Sequence, residues 1–358
     1  MKLFKCTHCG NLLYFENYRC EQCGYPLGFV AHSLELRPLV PQKNDTYTVY
    51  NDEATLYRYC ANHQYGVCNW LVAEGSQTDY CKACTLNRTV PNLSRPEYVQ
   101  RWQVIETAKH RLVYSLRRMK LPLVSKTTDP DKGLSFDFLA DENPDGNQRI
   151  LTGHTGGLIT LNIAEADDIE REMTRKAMDE PYRTVLGHFR HEVGHYYWDQ
   201  LIDGSDYLDE YRRLFGDERR DYADALKQHY EQGPPTDWPK EYISSYASTH
   251  PWEDWAETWA HYLHIIDTLE TAYSFGLSVQ PRVVEDGTLL TADLNTDPYN
   301  LDNFETLMSL WLPLSFAMNS INRSMGHQDL YPFVIPPRVM EKLSFIHRVC
   351  YEARMVLG

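Results

Sequence analysis

The chain has 358 residues, of which 42% are hydrophobic and 13% aromatic, enough for one sizeable core with smaller modules beside it. Acidic residues outnumber basic ones by 50 to 35, and this balance argues against a general nucleic-acid or anionic-membrane surface. No run approaches the roughly 18 apolar residues that a membrane span requires, and the start of the sequence lacks the apolar core of a signal peptide. We therefore expect a cytoplasmic protein with no nucleic-acid or membrane partner.

Eight of the nine cysteines lie in the first 84 residues. Two Cys-x2-Cys pairs separated by ten residues have the spacing of a zinc ribbon, and they are Cys6, Cys9, Cys20 and Cys23. A second set predicts a second structural zinc site, and its members are Cys60, Cys68, Cys81 and Cys84. His63 is a possible replacement for one cysteine of this second set. Two disulfides are the competing interpretation, which the missing export signal disfavours.

These cysteine sets suggest three domains, with a zinc ribbon at 1–33, a second zinc-binding module with four cysteines at 45–92 and a larger domain at 93–358. The segment Leu34 to Asn51, which contains two prolines, is interpreted as a linker between the small modules. Because the ribbon carries few basic residues, a partner protein is a more plausible ligand for it than DNA.

A capping box at Ser94 and Glu97 predicts a helix through about Leu121, whose basic residues, including Lys109 and His110, are interpreted as a solvated face. Two strands are predicted after it, at Leu134 to Leu139 and at Gly157 to Ile163. We expect the second of these strands at a sheet edge beside the helix that follows it, where an extended peptide could add as an extra strand.

The next predicted helix begins near Pro181 and contains His-Glu-x-x-His. His191 and His195 are four residues apart, so both imidazoles can face one metal ion, with Glu192 beside it. A zinc peptidase needs this arrangement of two neutral histidine ligands and a carboxylate that takes a proton from water.

A second helix is predicted after Thr249, which can cap it, with Pro251 in its first turn. Glu253 and Glu257 then lie on one stripe of this helix, while tryptophans line the neighbouring face. A catalytic zinc site needs a third protein ligand, and this stripe offers a carboxylate for it. Either glutamate could be that ligand.

These two helices resemble the gluzincin zinc peptidases. The resemblance implies that Glu253 is the third zinc ligand and that Glu257 orients the ligand His191. Tyr246 matches the oxyanion-stabilising tyrosine found in a subset of these enzymes.

The whole chain is similar to a bacterial family of zinc-binding metallopeptidases with an N-terminal zinc ribbon. The matching segments are Cys6 to Cys23, Cys81 to Ser94, Leu186 to Trp198, Trp252 to His264 and Asn322 to Met325. The expected fold is α+β, a mainly helical zincin-like domain with a small sheet, preceded by zinc-ribbon modules.

Peptide-bond hydrolysis with one catalytic and two structural zinc ions is the leading hypothesis, with Glu192 as general base and a peptide or protein as substrate. A catalytically silent zinc-ribbon adaptor and a zinc hydrolase of a non-peptide amide are the alternatives.

Overall fold

The computed structural model describes residues 2–141, 150, 152–177, 183–283 and 290–357. The chain forms two compact units. The first contains Met1–Arg118 and Leu123–Thr174, and the second contains Met119–Pro122 and Arg175–Gly358. Strands dominate the first unit and helices dominate the second, so the α+β prediction is confirmed.

The first unit contains two short strands that form a hairpin and five that form an antiparallel sheet in chain order. The hairpin strands are β1 (Phe4–Lys5) and β2 (Leu12–Leu13). The sheet strands are β3 (Leu27–Val30), β4 (Glu35–Pro41), β5 (Tyr47–Val49), β6 (Asp52–Tyr59) and β7 (Leu71–Ala73). A buried cluster holds this sheet together, and its residues are Val30, Leu39, Val49, Tyr57 and Leu71.

The prediction of a linker at Leu34 to Asn51 is wrong, because this segment supplies β4 and β5. Its prolines suggested a linker, since proline cannot donate a hydrogen bond to a strand ladder. Pro38 contributes through its carbonyl oxygen instead, which accepts a hydrogen bond from the N–H of Tyr50 at 2.9 Å.

A second sheet in the first unit has the strand order β10-β11-β9-β8. Its strands are β8 (Asn87–Thr89), β9 (Ser135–Leu139), β10 (Gly153–Thr155) and β11 (Leu158–Asn162). Strand β9 runs parallel to β8 and β11, whereas β10 is antiparallel to β11.

The two strands predicted before the active-site helix are confirmed as β9 and β11. The prediction that β11 lies at a sheet edge is wrong, because β10 and β9 cover its two sides. The chain reverses between β10 and β11 at Gly156 and Gly157, whose φ angles of 50° and 80° favour glycine. A peptide strand therefore has no free edge on β11.

Helix α1 (Pro96–Arg118) begins two residues after the predicted cap. The hydroxyl of Ser94 donates to the side chain of Asn92 at 2.8 Å. The prediction of a solvated basic face is wrong for Lys109 and His110, which are both buried. Both side chains have buried acceptor atoms as partners. The sequence pattern alone does not reveal these partners. Helix α2 (Asp168–Ala177) crosses the boundary between the two units.

The second unit is organised around its longest helix. Its elements are α3 (Val185–Leu201), α4 (Leu208–Phe215), α5 (Tyr222–Gln232), α6 (Trp238–Glu241), α7 (Pro251–Phe275), β12 (Ser278–Val279), β13 (Ala292–Asp293), α8 (Phe304–Ser324) and α9 (Pro337–Leu357). Helix α7 packs against α3, α4, α8 and α9, and it buries Trp255, Trp259 and Leu263. Among the helices of the described residues, none is long and apolar enough to cross a membrane.

Helix α3 carries the His-Glu-x-x-His motif and begins at Val185. Its cap is Thr184, whose side chain accepts a hydrogen bond from the N–H of Gly187 at 2.9 Å. The predicted start near Pro181 lies outside the described residues.

Helix α7 begins at Pro251 as predicted, but its cap is His250 and not Thr249. The Nδ1 atom of His250 accepts a hydrogen bond from the N–H of Trp252 at 3.1 Å. Proline at the first helical position makes the residue directly before it the capping residue.

Candidate metal centres

Helices α3 and α7 approach each other closely at Gly194, the fourth residue of the motif. A Cβ atom at this position would lie 3.0 Å from the Cα of Ala256 and 3.2 Å from the Cβ of Trp259. The indole N–H of Trp255 also donates to the Gly194 carbonyl oxygen at 2.8 Å. Glycine thus lets the two helices place their polar side chains in one site.

The side chains of His191, His195 and Glu253 meet between these helices. One ligand atom from each lies within 4.8 Å of the others. The Nε2 atom of His191 is 3.0 Å from Oε2 of Glu253, and the Nε2 atom of His195 is 3.6 Å from Oε1. The motif on α3 and the first glutamate of the α7 stripe therefore converge, while Glu257 is not part of this group of three.

Glu257 contacts the other ring nitrogen of His191. Its Oε1 atom lies 2.7 Å from Nδ1 of His191, and its Oε2 atom accepts a hydrogen bond from the hydroxyl of Ser244 at 2.6 Å. A carboxylate acceptor at Nδ1 places a proton there, so Nε2 is the nitrogen that faces Glu253 and that can bind a metal ion when the ring is neutral.

This arrangement fits a divalent cation. Among the described residues no hydrogen bond is formed to the buried Oε2 atom of Glu253, which lies 3.0 Å from Nε2 of His191. Burial lowers the pKa of His191, but Glu253 and Glu257 outweigh it and raise that pKa well above its ordinary value. The two carboxylates thus favour a positive charge at this site. Two imidazoles and one carboxylate form a ligand set that binds zinc.

Glu192 lies beside the two histidines. Burial raises the pKa of its carboxyl group, while His191 and His195 oppose the rise. A carboxyl group with a raised pKa can accept and return a proton near neutrality.

Two tyrosines border the group of three ligand atoms. The ring of Tyr246 lies 6.0 Å from the ring of His191, and burial raises the pKa of its phenol. The hydroxyl of Tyr222 donates to Oε1 of Glu253 at 2.8 Å. Sequence reasoning missed Tyr222 and Ser244, because both reach the site through tertiary packing and belong to no motif.

The first cysteine group is formed by Cys6, Cys9, Cys20 and Cys23. Cys6 and Cys23 have their sulfurs 3.8 Å apart, and Cys9 and Cys20 have theirs 3.6 Å apart. These distances are far longer than the roughly 2.05 Å of a disulfide and match thiolates that share one zinc ion. The φ angles of Gly10 and Gly24 are 82° and 75°, which suit the tight turn after each pair.

The second cysteine group is fully buried and consists of Cys60, Cys68, Cys81 and Cys84. The sulfurs of Cys68 and Cys81 are 3.7 Å apart. Backbone N–H groups donate to three of the sulfurs at 3.3–3.4 Å, a pattern that stabilises thiolates. All cysteines are free, so the disulfide interpretation is wrong.

The histidine whose side chain faces the sulfurs of this second group is His110, and not His63, the possible replacement for one cysteine. His63 stacks on Tyr59, and its Nδ1 atom lies 2.8 Å from the carbonyl oxygen of Cys68. The Nε2 atom of His110 lies 3.3 Å from the sulfur of Cys68. Sequence analysis did not identify His110 as a candidate ligand, because the helix face that carries it is also charged and was interpreted as solvated.

Two helices that bring two histidines and a glutamate together, with cysteine groups in a separate unit, define a zinc-binding protein of metallopeptidase type. Residues 98–349 match the family described as "Putative zinc-binding metallo-peptidase", and residues 3–95 match a zinc-ribbon domain. The chain belongs to this metallopeptidase family.

Relatives of similar length are found in mycobacteria. Proteins of Mycobacterium bovis and of two strains of Mycobacterium tuberculosis, each described as uncharacterized, are 43% identical over 353 residues. The aligned region covers 98% of this chain and 96% of each relative. No solved structure gives a significant match.

Proposed function

We propose that the protein is a zinc peptidase that hydrolyses peptide bonds at the site between α3 and α7. The observation that carries this proposal is the double engagement of His191. Its Nδ1 atom meets Glu257 at 2.7 Å, while its Nε2 atom faces Glu253 at 3.0 Å. Two acceptors on opposite sides of one imidazole are expected when the second nitrogen is a metal ligand.

His191, His195 and Glu253 are the proposed ligands of the catalytic zinc ion. A zinc ion bound there would polarise the scissile carbonyl group and make water a stronger acid. Tyr222 occupies Oε1 of Glu253 with its hydroxyl hydrogen bond, which leaves Oε2 as the donor atom. Glu257 holds His191 in the tautomer that presents Nε2.

Glu192 is the proposed general base. Its carboxylate accepts the proton of the attacking water and passes it to the nitrogen of the leaving amine. Burial raises the pKa of this carboxyl group, and a higher pKa favours both transfers because the protonated form becomes more accessible.

Tyr246 is the proposed donor to the oxyanion of the cleaved carbonyl group. Burial raises the pKa of the phenol, so the hydroxyl keeps its proton and can donate a hydrogen bond. A donor that already lies beside His191 would need little reorganisation during the reaction.

The two cysteine groups are proposed to hold one structural zinc ion each, and a reducing compartment such as the cytoplasm suits their free thiols. The two groups of four cysteines, together with the group of His191, His195 and Glu253, predict about three zinc ions per chain. Elemental analysis of His191→Ala/His195→Ala should find one fewer, with the two cysteine groups unaffected.

The test of activity compares wild type with Glu192→Gln and with the exposed control Glu231→Gln. Each protein is loaded with zinc and incubated with a mixture of proteome-derived peptides, and new termini are read by mass spectrometry. We expect cleavage by wild type and the control, and none by Glu192→Gln at an equal zinc content. Cleavage by Glu192→Gln at the wild-type rate would contradict the proposal, and a wild type that neither cleaves nor holds a third zinc ion would favour the adaptor.

A further inference from the structure

The second cysteine group has a fifth donor atom, which comes from helix α1. The Nε2 atom of His110 lies 3.3 Å from the sulfur of Cys68, 3.8 Å from that of Cys84 and 4.0 Å from that of Cys81. In a tetrahedral zinc site with Zn–S near 2.3 Å and Zn–N near 2.0 Å, a nitrogen and a sulfur ligand are about 3.6 Å apart. The imidazole therefore stands at ligand distance from three thiolates.

The orientation of the His110 ring is fixed from its other side. Its Nδ1 atom lies 2.6 Å from the backbone carbonyl oxygen of Glu106, one turn earlier on α1. A carbonyl oxygen only accepts, so Nδ1 carries a proton, and Nε2 is the nitrogen that faces the sulfurs and that can bind zinc when the ring is neutral. The side chain of His110 is only 3% exposed, so water cannot take the place of this contact.

A buried polar network holds Glu106 in place. Its carboxylate accepts hydrogen bonds from the indole of Trp102 at 3.1 Å and from the amide of Asn87 at 2.7 Å. It also pairs with the ammonium group of Lys109 at 2.8 Å, and neither side chain of this pair is exposed. A network in which every polar group has a hydrogen-bond partner is rigid, and here it helps to orient the imidazole of His110.

We propose that the second zinc site has five donors for four positions. Cys68, Cys81 and Cys84 supply three thiolates, and the fourth position exchanges between Cys60 and His110. Cys60 follows β6 and precedes β7, whereas His110 lies on α1, so the exchange couples the zinc ion to either the sheet or the helix. The proposal concerns this site alone and does not depend on peptidase activity.

The first cysteine group provides the matched control, because the group formed there by the described residues contains four cysteines and no histidine. Full-length wild type, Cys9→Ser, Cys60→Ser, His110→Asn and Cys60→Ser/His110→Asn are purified, and their zinc content is measured. We expect Cys9→Ser to lose one zinc ion and Cys60→Ser to lose none. His110→Asn alone should also lose none, whereas the double variant should lose one.

Three results would overturn the exchange. The first is that Cys60→Ser loses one zinc ion, as Cys9→Ser does. This result is expected if His110 is protonated and only donates a hydrogen bond to sulfur. The double variant could keep its zinc, or His110→Asn alone could lose it.

A second measurement needs no change of cysteine and so avoids a variant that fails to fold. Wild type and His110→Asn are loaded with Co²⁺, and the thiolate-to-cobalt absorption per cobalt ion is compared. We expect this absorption to rise in His110→Asn, because Cys60 then holds the fourth position all the time. Identical spectra would overturn the proposal.

Discussion

The Cα atom of Ala256 lies 3.0 Å from the place that a Cβ atom on Gly194 would occupy. Such a contact is shorter than nine in ten of those that real Cβ atoms make, so one of the two closely packed helices would have to move by a few tenths of an ångström to admit it. The spacing of α3 and α7, and with it the distance from His191 and His195 to Glu253, therefore depends on a missing methyl group.

Gly194→Ala is expected to separate the two helices by a few tenths of an ångström. The unfolding free energy should fall by about 1–3 kcal/mol, and zinc binding at the third site should weaken. Denaturant unfolding and chelator competition measure these effects. Gly153→Ala is the control, since a Cβ atom there meets no atom within 4 Å. Equal behaviour of the two variants would show that the helix contact does not set the site.

Loss of the Glu257 contact should weaken zinc binding without removing a ligand. Glu257→Gln replaces the carboxylate that accepts from Nδ1 of His191, and about a 10–100-fold loss of affinity is expected. Ser244→Ala removes one hydrogen bond from the same carboxylate and should have a smaller effect in the same direction. Chelator competition gives both values. If Glu257→Gln instead abolished zinc binding as Glu253→Ala does, Glu257 would itself be a ligand.

The two tyrosines should separate binding from catalysis. Tyr222→Phe removes the hydroxyl that donates to Glu253, so zinc affinity should fall several-fold. Tyr246→Phe should leave zinc affinity unchanged and lower kcat by about 10²–10³, as expected for the loss of one oxyanion donor. Zinc titration and peptide cleavage are measured on both variants. The same effect on both quantities in both variants would contradict the assigned roles.

A buried ion pair anchors α9 to α7 next to the proposed zinc ligand. The ammonium group of Lys342 lies 2.6 Å from the carboxylate of Asp254, and it also donates to the carbonyl oxygen of Glu241 at 2.7 Å. Lys342→Met leaves a buried carboxyl group without its partner, and this group must either stay charged in the interior or take up a proton, so the unfolding free energy should fall by about 3–5 kcal/mol. Asp254→Leu/Lys342→Met should recover most of this loss in a double-mutant cycle, and strictly additive losses would contradict the coupling.

The cost of Lys342→Met should grow as the pH rises above 7. Burial raises the pKa of Asp254 to about 7, although Lys342 lowers it. Removal of Lys342 moves that folded-state pKa higher still, while the unfolded value stays near 3.9. Above pH 7 the variant's native state therefore keeps a proton that its unfolded state has lost, and only the variant loses stability with rising pH. Unfolding at pH 6.5 and pH 8.5 tests the sign, and a constant difference would contradict it.

Local spacing made the histidine and cysteine groups predictable. His191 and His195 share a helix face, and each Cys-x2-Cys pair closes within one turn of chain, so sequence distance stands for spatial distance. The same reasoning could not find Tyr222, which meets Glu253 from another helix. It also misjudged His110, because a charged helix face is usually solvated and only tertiary packing buries this one.

Strand prediction failed where chain order and neighbours decide the result. The pattern of β11 was recognised, but which strands flank it depends on the reversal at Gly156 and Gly157. Likewise, the presence of prolines in β4 does not show whether their carbonyl oxygens accept hydrogen bonds in a sheet.

The two units differ in their cysteine content and therefore in their sensitivity to thiol reagents. Eight of the nine cysteines belong to the first unit, and the second contains only Cys350, which is 3% exposed and has a thiol pKa raised by burial. A thiol-selective alkylating reagent should therefore modify the cysteine groups and leave the histidine site, which contains no cysteine, unmodified. Thiol reagents thus offer a way to inactivate the cysteine groups and to measure what the histidine site still does, without any substitution in the chain.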